Sequence, residues 1–579
     1  MKYLKYISPA ILLFFMSCTK GYLDVNTDPN NPTEMAEAKL LPNAQKALAD
    51  YLGFGAGGAS GFSYVLSVYT HQITMREYPD KYGTEGVNLN TAWTAIYTDA
   101  IRNCEEIIKN AEEPGNTLYS GIAKILKAYA YSQLVDVFGD IPFSESNDYQ
   151  GGAGFGAPAF DLGKDIYPQL FALLDEGIAD LNNTTAANPN KPGSDDLIYG
   201  GKAASWINAA NTIKLKLYNQ ARLVQDVSGP VNELLSGGKL IGSTAASFAF
   251  PYGTASSPDE RSPFFADYFA TQRSINISPW FYEIMKGYNM KDVNGMTKDF
   301  NVFSGIKDPR VPYYFFNQLQ PDEENVEGNQ IEYRDGGFSS IVFGSTGPNR
   351  DKSHDKSTTV MGIYPAGGRY DDGEGSGGKG VTAGSGTGAA PFRMLTYADR
   401  LFIEAELIQA GVVPGGAAEA KTKLKAALTQ AIAQVDYVVA KAGTVNQTVP
   451  KLAGTDEAND FIDAVVNLFE NSSADKQMEI IMTQKWISNF GGNAVDCYND
   501  YRRTKYPMIF DPNNAEMAPD HFFKPPVNGN IELDEAPLIP VITSRSYPVS
   551  LPWSQRELEL NKNAPDQKTP ASFKVFWMN

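Results

Sequence analysis

Between Met478 and Pro507 the chain carries two apolar stripes at helical spacing with a break between them. Met478, Ile481, Met482 and Trp486 fall on one face, and Ala494, Cys497, Tyr498 and Tyr501 repeat the spacing after Gly491-Gly492. A period of three to four residues marks a helix with one buried side, and a glycine pair ends it. The stretch therefore predicts a packed helical hairpin that closes on the basic run Arg502-Arg503-Thr504-Lys505 before Tyr506-Pro507.

The same period recurs along the chain. Glu34 to Tyr51 and Phe62 to Tyr82 are predicted helical. Trp93, Ile96, Tyr97, Ala100, Ile101, Cys104, Ile107, Ile108 and Ala111 hold one face until Pro114-Gly115. Ile122, Ile125, Leu126 and Tyr129 begin the next helix, which stops at Gly139, and Ile166 to Leu181 and Trp206 to Leu217 give two more. After Met394 the stripes return, at Tyr397 to Ile408, Ala420 to Val435 and Phe461 to Phe469. Paired helices of this length, with small and aromatic residues at their contacts and no strict repeat consensus, predict degenerate tetratricopeptide-like hairpins. The fold class is mainly α. Cys104 and Cys497 lie on buried stripes and are expected to be small packing residues.

From Val227 to Pro391 the period fades and Gly, Pro, Ser and aromatics accumulate. A few short apolar runs, such as Ser340 to Phe343, suit strands. Ser278-Pro-Trp280-Phe-Tyr282 and Pro312-Tyr-Tyr-Phe-Phe316 are aromatic patches that argue against plain disorder. Two glycine-rich pieces imitate nucleotide motifs. Gly53-Phe-Gly55-Ala-Gly57-Gly58 follows a helix where a dinucleotide loop needs a strand, and Gly373 to Gly380 lacks the Ser/Thr after Lys379. Both are expected to be loops.

Met1 to Ser17 forms a leader, with Lys2 and Lys5 ahead of an apolar run from Ile7 to Met16. It ends on Phe15-Met16-Ser17-Cys18, a loose lipobox in which Cys18 would be acylated after cleavage. Acyl chains hold a water-soluble body on a membrane without a spanning helix. Thr19 to Thr33 is polar and rich in Asn and Pro, a tether. Asp24 to Asn30 imitates a calcium loop but has Pro29 where that loop turns on Gly and Met35 where it ends on Glu. The division is thus a signal peptide over 1–17, a lipidated N-terminus and tether over 18–33, and one domain over 34–579. Within that domain a helical body occupies 34–226 and 392–510, a loop-rich ligand lobe about 227–391, and a C-terminal segment 511–579.

Chemistry is bounded by what is scarce. The formal net charge of −18 repels nucleic acid. Three histidines, His71, His354 and His521, stand without metal-ligand spacing. No G-x-S-x-G elbow is present, and no metal or cofactor is expected. Carboxylates are plentiful, so a glycosidase pair stays open. Binding is the leading function. A sugar ring has an apolar face that stacks on Tyr or Trp and a rim of hydroxyls taken by Asp, Asn or Arg. Tyr78 and Tyr82 beside Pro79, the Trp280–Tyr282 cluster, and Arg369, Tyr370 and Asp372 carry those types on expected loops and form the candidate site. On this reading Trp280→Ala or Tyr82→Ala weakens binding and leaves the melting temperature nearly unchanged.

Several ordered phrases carry a family likeness. Gln484-Lys485-Trp486 followed by Asp500-Tyr-Arg-Arg-Thr-Lys-Tyr-Pro507 resembles the late signature of the SusD/RagB-like nutrient-binding outer-membrane lipoproteins of Bacteroidetes-type bacteria. Asp24-Val-Asn-Thr-Asp-Pro-Asn-Asn-Pro-Thr-Glu34 resembles the opening of their mature chains. Lys127 to Glu145 is similar to the second repeat, and Ser205 to Arg222 and Pro391 to Gly411 are similar to later family helices. Tyr547-Pro548 through Glu557 and Asn561 resembles the closing block, with residues inserted after the Tyr-Pro pair. The resemblance implies a SusD-like α-α superhelix with an irregular lobe placing the ligand site. It implies a non-catalytic lipoprotein on the outward face of the outer membrane. Such a protein caps a SusC-type TonB-dependent barrel and delivers to it an oligosaccharide, or a peptide. A surface glycan hydrolase and a lipid-anchored adhesin or scaffold are the alternatives.

Overall fold

A computed structural model describes residues 35–56, 60–75, 81–146, 156–270, 273–288, 300–324, 332–346, 355–511 and 541–578, together with 290–291, 297–298 and 327. The predicted signal peptide, Cys18 and the tether lie outside these residues.

The predicted stripes become helices. In the first half they are α1 (Glu37–Leu52), α2 (Phe62–Tyr69), α3 (Gly86–Ala95), α4 (Arg102–Glu112), α5 (Thr117–Phe138), α6 (Gly163–Leu181), α7 (Ala203–Ala221) and α8 (Ser228–Gly237). A six-residue wider turn of helix, Ile96–Ile101, joins α3 to α4 without a break. α5 packs on α4 and on α6, and α6 packs on α7, so the hairpins stack in chain order. At the α5–α6 crossing the backbones come close. A Cβ at Gly121 would sit 2.8 Å from the Gly177 carbonyl oxygen, and one at Gly177 would sit 2.9 Å from that of Gly121. Only a residue without a side chain allows that approach.

Within the lobe lies the two-turn helix α9 (Pro279–Lys286), and the body resumes with α10 (Tyr397–Gln409), α11 (Gly416–Ala442), α12 (Asp456–Glu470), α13 (Ala474–Ser488) and α14 (Ala494–Thr504). Thr396 and Asp399 form a reciprocal capping box that fixes where α10 starts. α10 packs on α11 and α13, and α14 packs on α2, which closes the late helices onto the early ones. The fold is a superhelix of degenerate tetratricopeptide-like hairpins with an irregular lobe.

Phe62 to Tyr82 is not one helix. α2 ends at Tyr69, the Thr70 hydroxyl bonds back to the Leu66 carbonyl, and His71 has a positive φ of 56°. The β-branched Ile73-Thr74 then enters β1 (Ile73–Met75), which pairs antiparallel with β2 (Ile275–Ile277). The run at Ser340 to Phe343 is also only partly strand: Phe338–Ser340 pairs with Tyr333–Asp335, and Ile341 to Phe343 is irregular. Each sheet among the described residues has two strands. The lobe is therefore held by side chains and by the helices beneath it more than by ladders.

The signature phrases turn out to be core. Arg503 on α14 reaches both oxygens of Glu406 on α10, at 2.9 and 2.8 Å, while Arg222 and Asn219 from α7 approach the same carboxylate at 3.0 and 2.8 Å. Burial alone would raise the Glu406 pKa, but Arg503, Arg222 and Lys485 outweigh it and hold the carboxylate ionised. Lys485 on α13 pairs with Asp500 at 2.8 Å. Asp136 on α5 accepts from Asn499 at 2.8 Å, from Tyr167 at 2.5 Å and from Trp577 at 3.0 Å. The Arg502 guanidinium lies 3.9 Å from the Tyr498 ring centre and 4.7 Å from that of Trp577. Trp486 donates to the Thr70 carbonyl at 3.1 Å. Cys104 and Cys497 are buried free thiols, as their stripes predict.

Candidate functional site

The β1–β2 pair brings two distant pieces of chain together. Ser278 donates its N–H to the Gln72 carbonyl at 3.1 Å, so His71 and Trp280 stand on adjacent strands' ends. Phe343 from the lobe and Phe510 from beyond α14 complete a narrow apolar hollow. The His71 ring centre lies 4.3 Å from that of Phe343 and 5.8 Å from that of Phe510. Trp280 is 6.0 Å from Phe510 and donates its indole N–H to the Met508 carbonyl at 3.1 Å. His71 Nε2 shares a hydrogen bond with the Tyr82 hydroxyl at 2.9 Å, whereas its Nδ1 is buried without a partner. Burial pushes the His71 pKa down to about 3, so the ring is neutral. The hollow is walled by aromatic rings and presents one imidazole nitrogen, His71 Nδ1.

The candidate residues fall into two groups. Tyr82, Trp280 and Tyr282 are 1, 3 and 4 % exposed. Trp280 and Tyr282 lie on helix α9, not on a loop, because Ser278-Pro279 is a helix start with proline at its first position. Tyr282 stacks on Phe338 with ring centres 3.7 Å apart and donates to Asp335 at 2.7 Å. Tyr82 is enclosed by Tyr69, Phe343 and Tyr547. Neither tyrosine presents a free face, and both are packing residues. Trp280 borders the hollow. Tyr78 lies outside the described residues.

Arg369, Tyr370 and Asp372 do come together at the surface. Gln447, just after α11, accepts from the Tyr370 N–H at 3.2 Å and donates to the Tyr370 carbonyl and to Asp372 at 3.0 and 3.1 Å. Tyr370 meets Tyr313 edge-on at 4.9 Å, and Arg369 lies 4.7 Å over Phe316. Asp371, between them, accepts from Asn317 at 2.7 Å, and burial pushes its pKa up to about 6. This surface is anchored to Gln447, while Trp280 is anchored to Met508, so the structure makes two patches of the predicted set.

Reading residues alone missed His71, Phe343 and Phe510. Nothing in their local sequence marks them, since each reaches the hollow through a tertiary connection. The proline before Trp280 was the one available signal that this cluster is helical. Among the described residues no group of three or more His, Cys, Asp or Glu is placed to hold a metal ion. No helix among them is long and apolar enough to cross a membrane.

A superhelix of tetratricopeptide-like hairpins with an irregular, aromatic-rich lobe is the architecture of a helical scaffold protein. The chain belongs to the SusD-like family described as starch-binding and associating with the outer membrane, whose model matches residues 29–523. No curated protein matches it. Among solved structures it is similar to a SusD/RagB family protein from Bacteroides thetaiotaomicron, at 18% identity over 94% of this chain and 99% of that one, with a TM-score of 0.63. A SusD-like protein of Bacteroidetes AC2a has 16% identity over 94% and 100%, with a TM-score of 0.64. A chitin-binding SusD homolog from Flavobacterium johnsoniae has 17% identity over 93% and 98%, with a TM-score of 0.59. These likenesses establish the fold.

Proposed function

We propose that the protein is a non-catalytic nutrient-binding lipoprotein of the outer membrane. It binds an oligosaccharide, or in the second instance a peptide, and passes it to a SusC-type TonB-dependent barrel. Cys18 carries the lipid, the segment 18–33 is the tether, and the body faces outward. The observation that carries this reading is the family match over residues 29–523, a family described by starch binding and outer-membrane association. Two separate patches are in keeping with this reading: the aromatic hollow beside His71, Trp280 and Phe343, and the Arg369–Tyr370–Asp372 surface, where an aromatic ring stands among fixed polar groups.

The test is calorimetric titration of the protein from Thr19 onward against separate glycan and peptide panels, with each mixture assayed for cleavage. Saturable binding of one class without products is the expected result and names the cargo. Products would replace the reading with a glycan hydrolase. Co-purification of a barrel with the acylated protein, lost in Cys18→Ala, tests the anchor and the partner together.

A further inference from the structure

A second hollow, of about 530 Å³, lies between the middle of α1 and the turn-rich segment 259–269. It shares no lining residue with the first. Two ion pairs form its walls. Lys46 bonds Asp50 at 2.5 Å, and Asp50, only 3 % exposed, also accepts from the Tyr252 hydroxyl at 2.8 Å. Arg261 grips Asp259 with Nε and Nη2, each at 2.9 Å. The same guanidinium lies 5.2 Å from the ring centre of Phe269 and 5.8 Å from that of Phe265. Phe265 is buried, and Phe269 is one of the large apolar side chains left exposed, at 36 %.

Each cation here is matched by its own carboxylate, so the pocket has no net charge to attract an anion or a cation. It does have hydrogen-bonding capacity to spare. Lys46 spends one of three N–H donors on Asp50, the Arg261 Nη1 donors are not used on Asp259, and ionised carboxylates accept more bonds than these receive. Donors and acceptors therefore both line a cavity that also carries an exposed aromatic ring. Vicinal hydroxyls on a ring with one apolar face match that set, whereas a phosphate, a sulfate or a free amine would find no net charge there to offset its own desolvation.

We propose that this hollow is a second binding site, for a neutral sugar ring, with Phe269 as the stacking surface and Lys46, Asp50, Asp259 and Arg261 taking hydroxyls. It rests on the nutrient-binding reading in taking saccharides as the ligand class, and it is separate from the hollow beside Trp280. A protein with two such sites holds a long chain more tightly than a short one, because the second contact is made at high effective concentration.

The test is amide hydrogen exchange of the full mature protein with maltoheptaose and, separately, chitohexaose. The peptides followed cover 44–56 and 252–270 for this site and 275–285 and 341–346 for the first. The expected result is protection of both sets with one saccharide. Phe269→Ala and Arg261→Ala should each raise the concentration for half-protection of 44–56 and 252–270 by about tenfold and shift that of 275–285 and 341–346 by less. Protection confined to 275–285 and 341–346 overturns this proposal and leaves the nutrient reading standing. Protection confined to 44–56 and 252–270 supports it and removes the first hollow from the reading. No protection with either saccharide, or protection of 252–270 indifferent to both substitutions, overturns it.

Discussion

Tyr82 and Tyr282 show how far a side chain's neighbours outweigh its type. Both are aromatic, both sit near a turn or a proline, and both are enclosed by other rings. Tyr82→Ala and Tyr282→Ala should each cost about 3–5 kcal/mol of stability, the range for truncating a buried aromatic, measurable as a shift of the urea midpoint. This replaces the expectation from sequence that Tyr82→Ala would leave the melting temperature nearly unchanged. At the surface patch the informative residue is Asp371. Its folded pKa, raised by burial to about 6, exceeds the value of an unfolded aspartate near 4. Its contribution is fully present below the unfolded value and is lost as pH rises through 6, so the Arg369–Asp372 segment should hold more firmly at pH 5 than at pH 7.5. Between those two pH values the difference is on the order of 1 kcal/mol of local stability. Amide exchange of residues 368–373 across that range should show it, and Asp371→Asn should remove the pH dependence.

At the scale of the element, the hairpin α13–α14 concentrates the fold's specification. Its phrases were legible as a helix, a glycine turn and a helix, and each is present with those bounds. Their purpose was not legible, because Arg502 and Arg503 read locally only as a basic end to a packed hairpin. The structure buries both, against Asp136, Tyr498 and Trp577 in one case and Glu406 in the other. Arg503→Met leaves the Glu406 carboxylate with one fewer cation in a dry site and should cost about 3–5 kcal/mol. Arg503→Met with Glu406→Leu should recover much of that loss, and a double-mutant cycle in guanidinium measures the coupling. The turn is equally constrained: Gly491 has a φ of 76°, and a Cβ there would lie 2.6 Å from the Pro365 Cα. Gly491→Ala should destabilise by more than about 1 kcal/mol, whereas Gly416→Ala, with open space at its own positive φ, should cost less.

Over the whole molecule the helical body was readable because one-sided helices announce themselves by period, and α5, α6, α7, α10 and α11 lie where their stripes fall. The lobe was not, since its strands are two to four residues long and its contacts join positions hundreds of residues apart. Trp280 borders the hollow only because residues 71, 343 and 510 reach it. That last fact has a kinetic side. The four walls of the hollow come from both ends and the middle of the chain, and Phe510 is the last of them to be synthesised. Contacts of such sequence separation are the slowest to form, so the hollow closes only after the body has condensed around it. A chain that has not finished folding lacks this hollow, and its closure marks the docking of residue 510 against the lobe and the entry to β1.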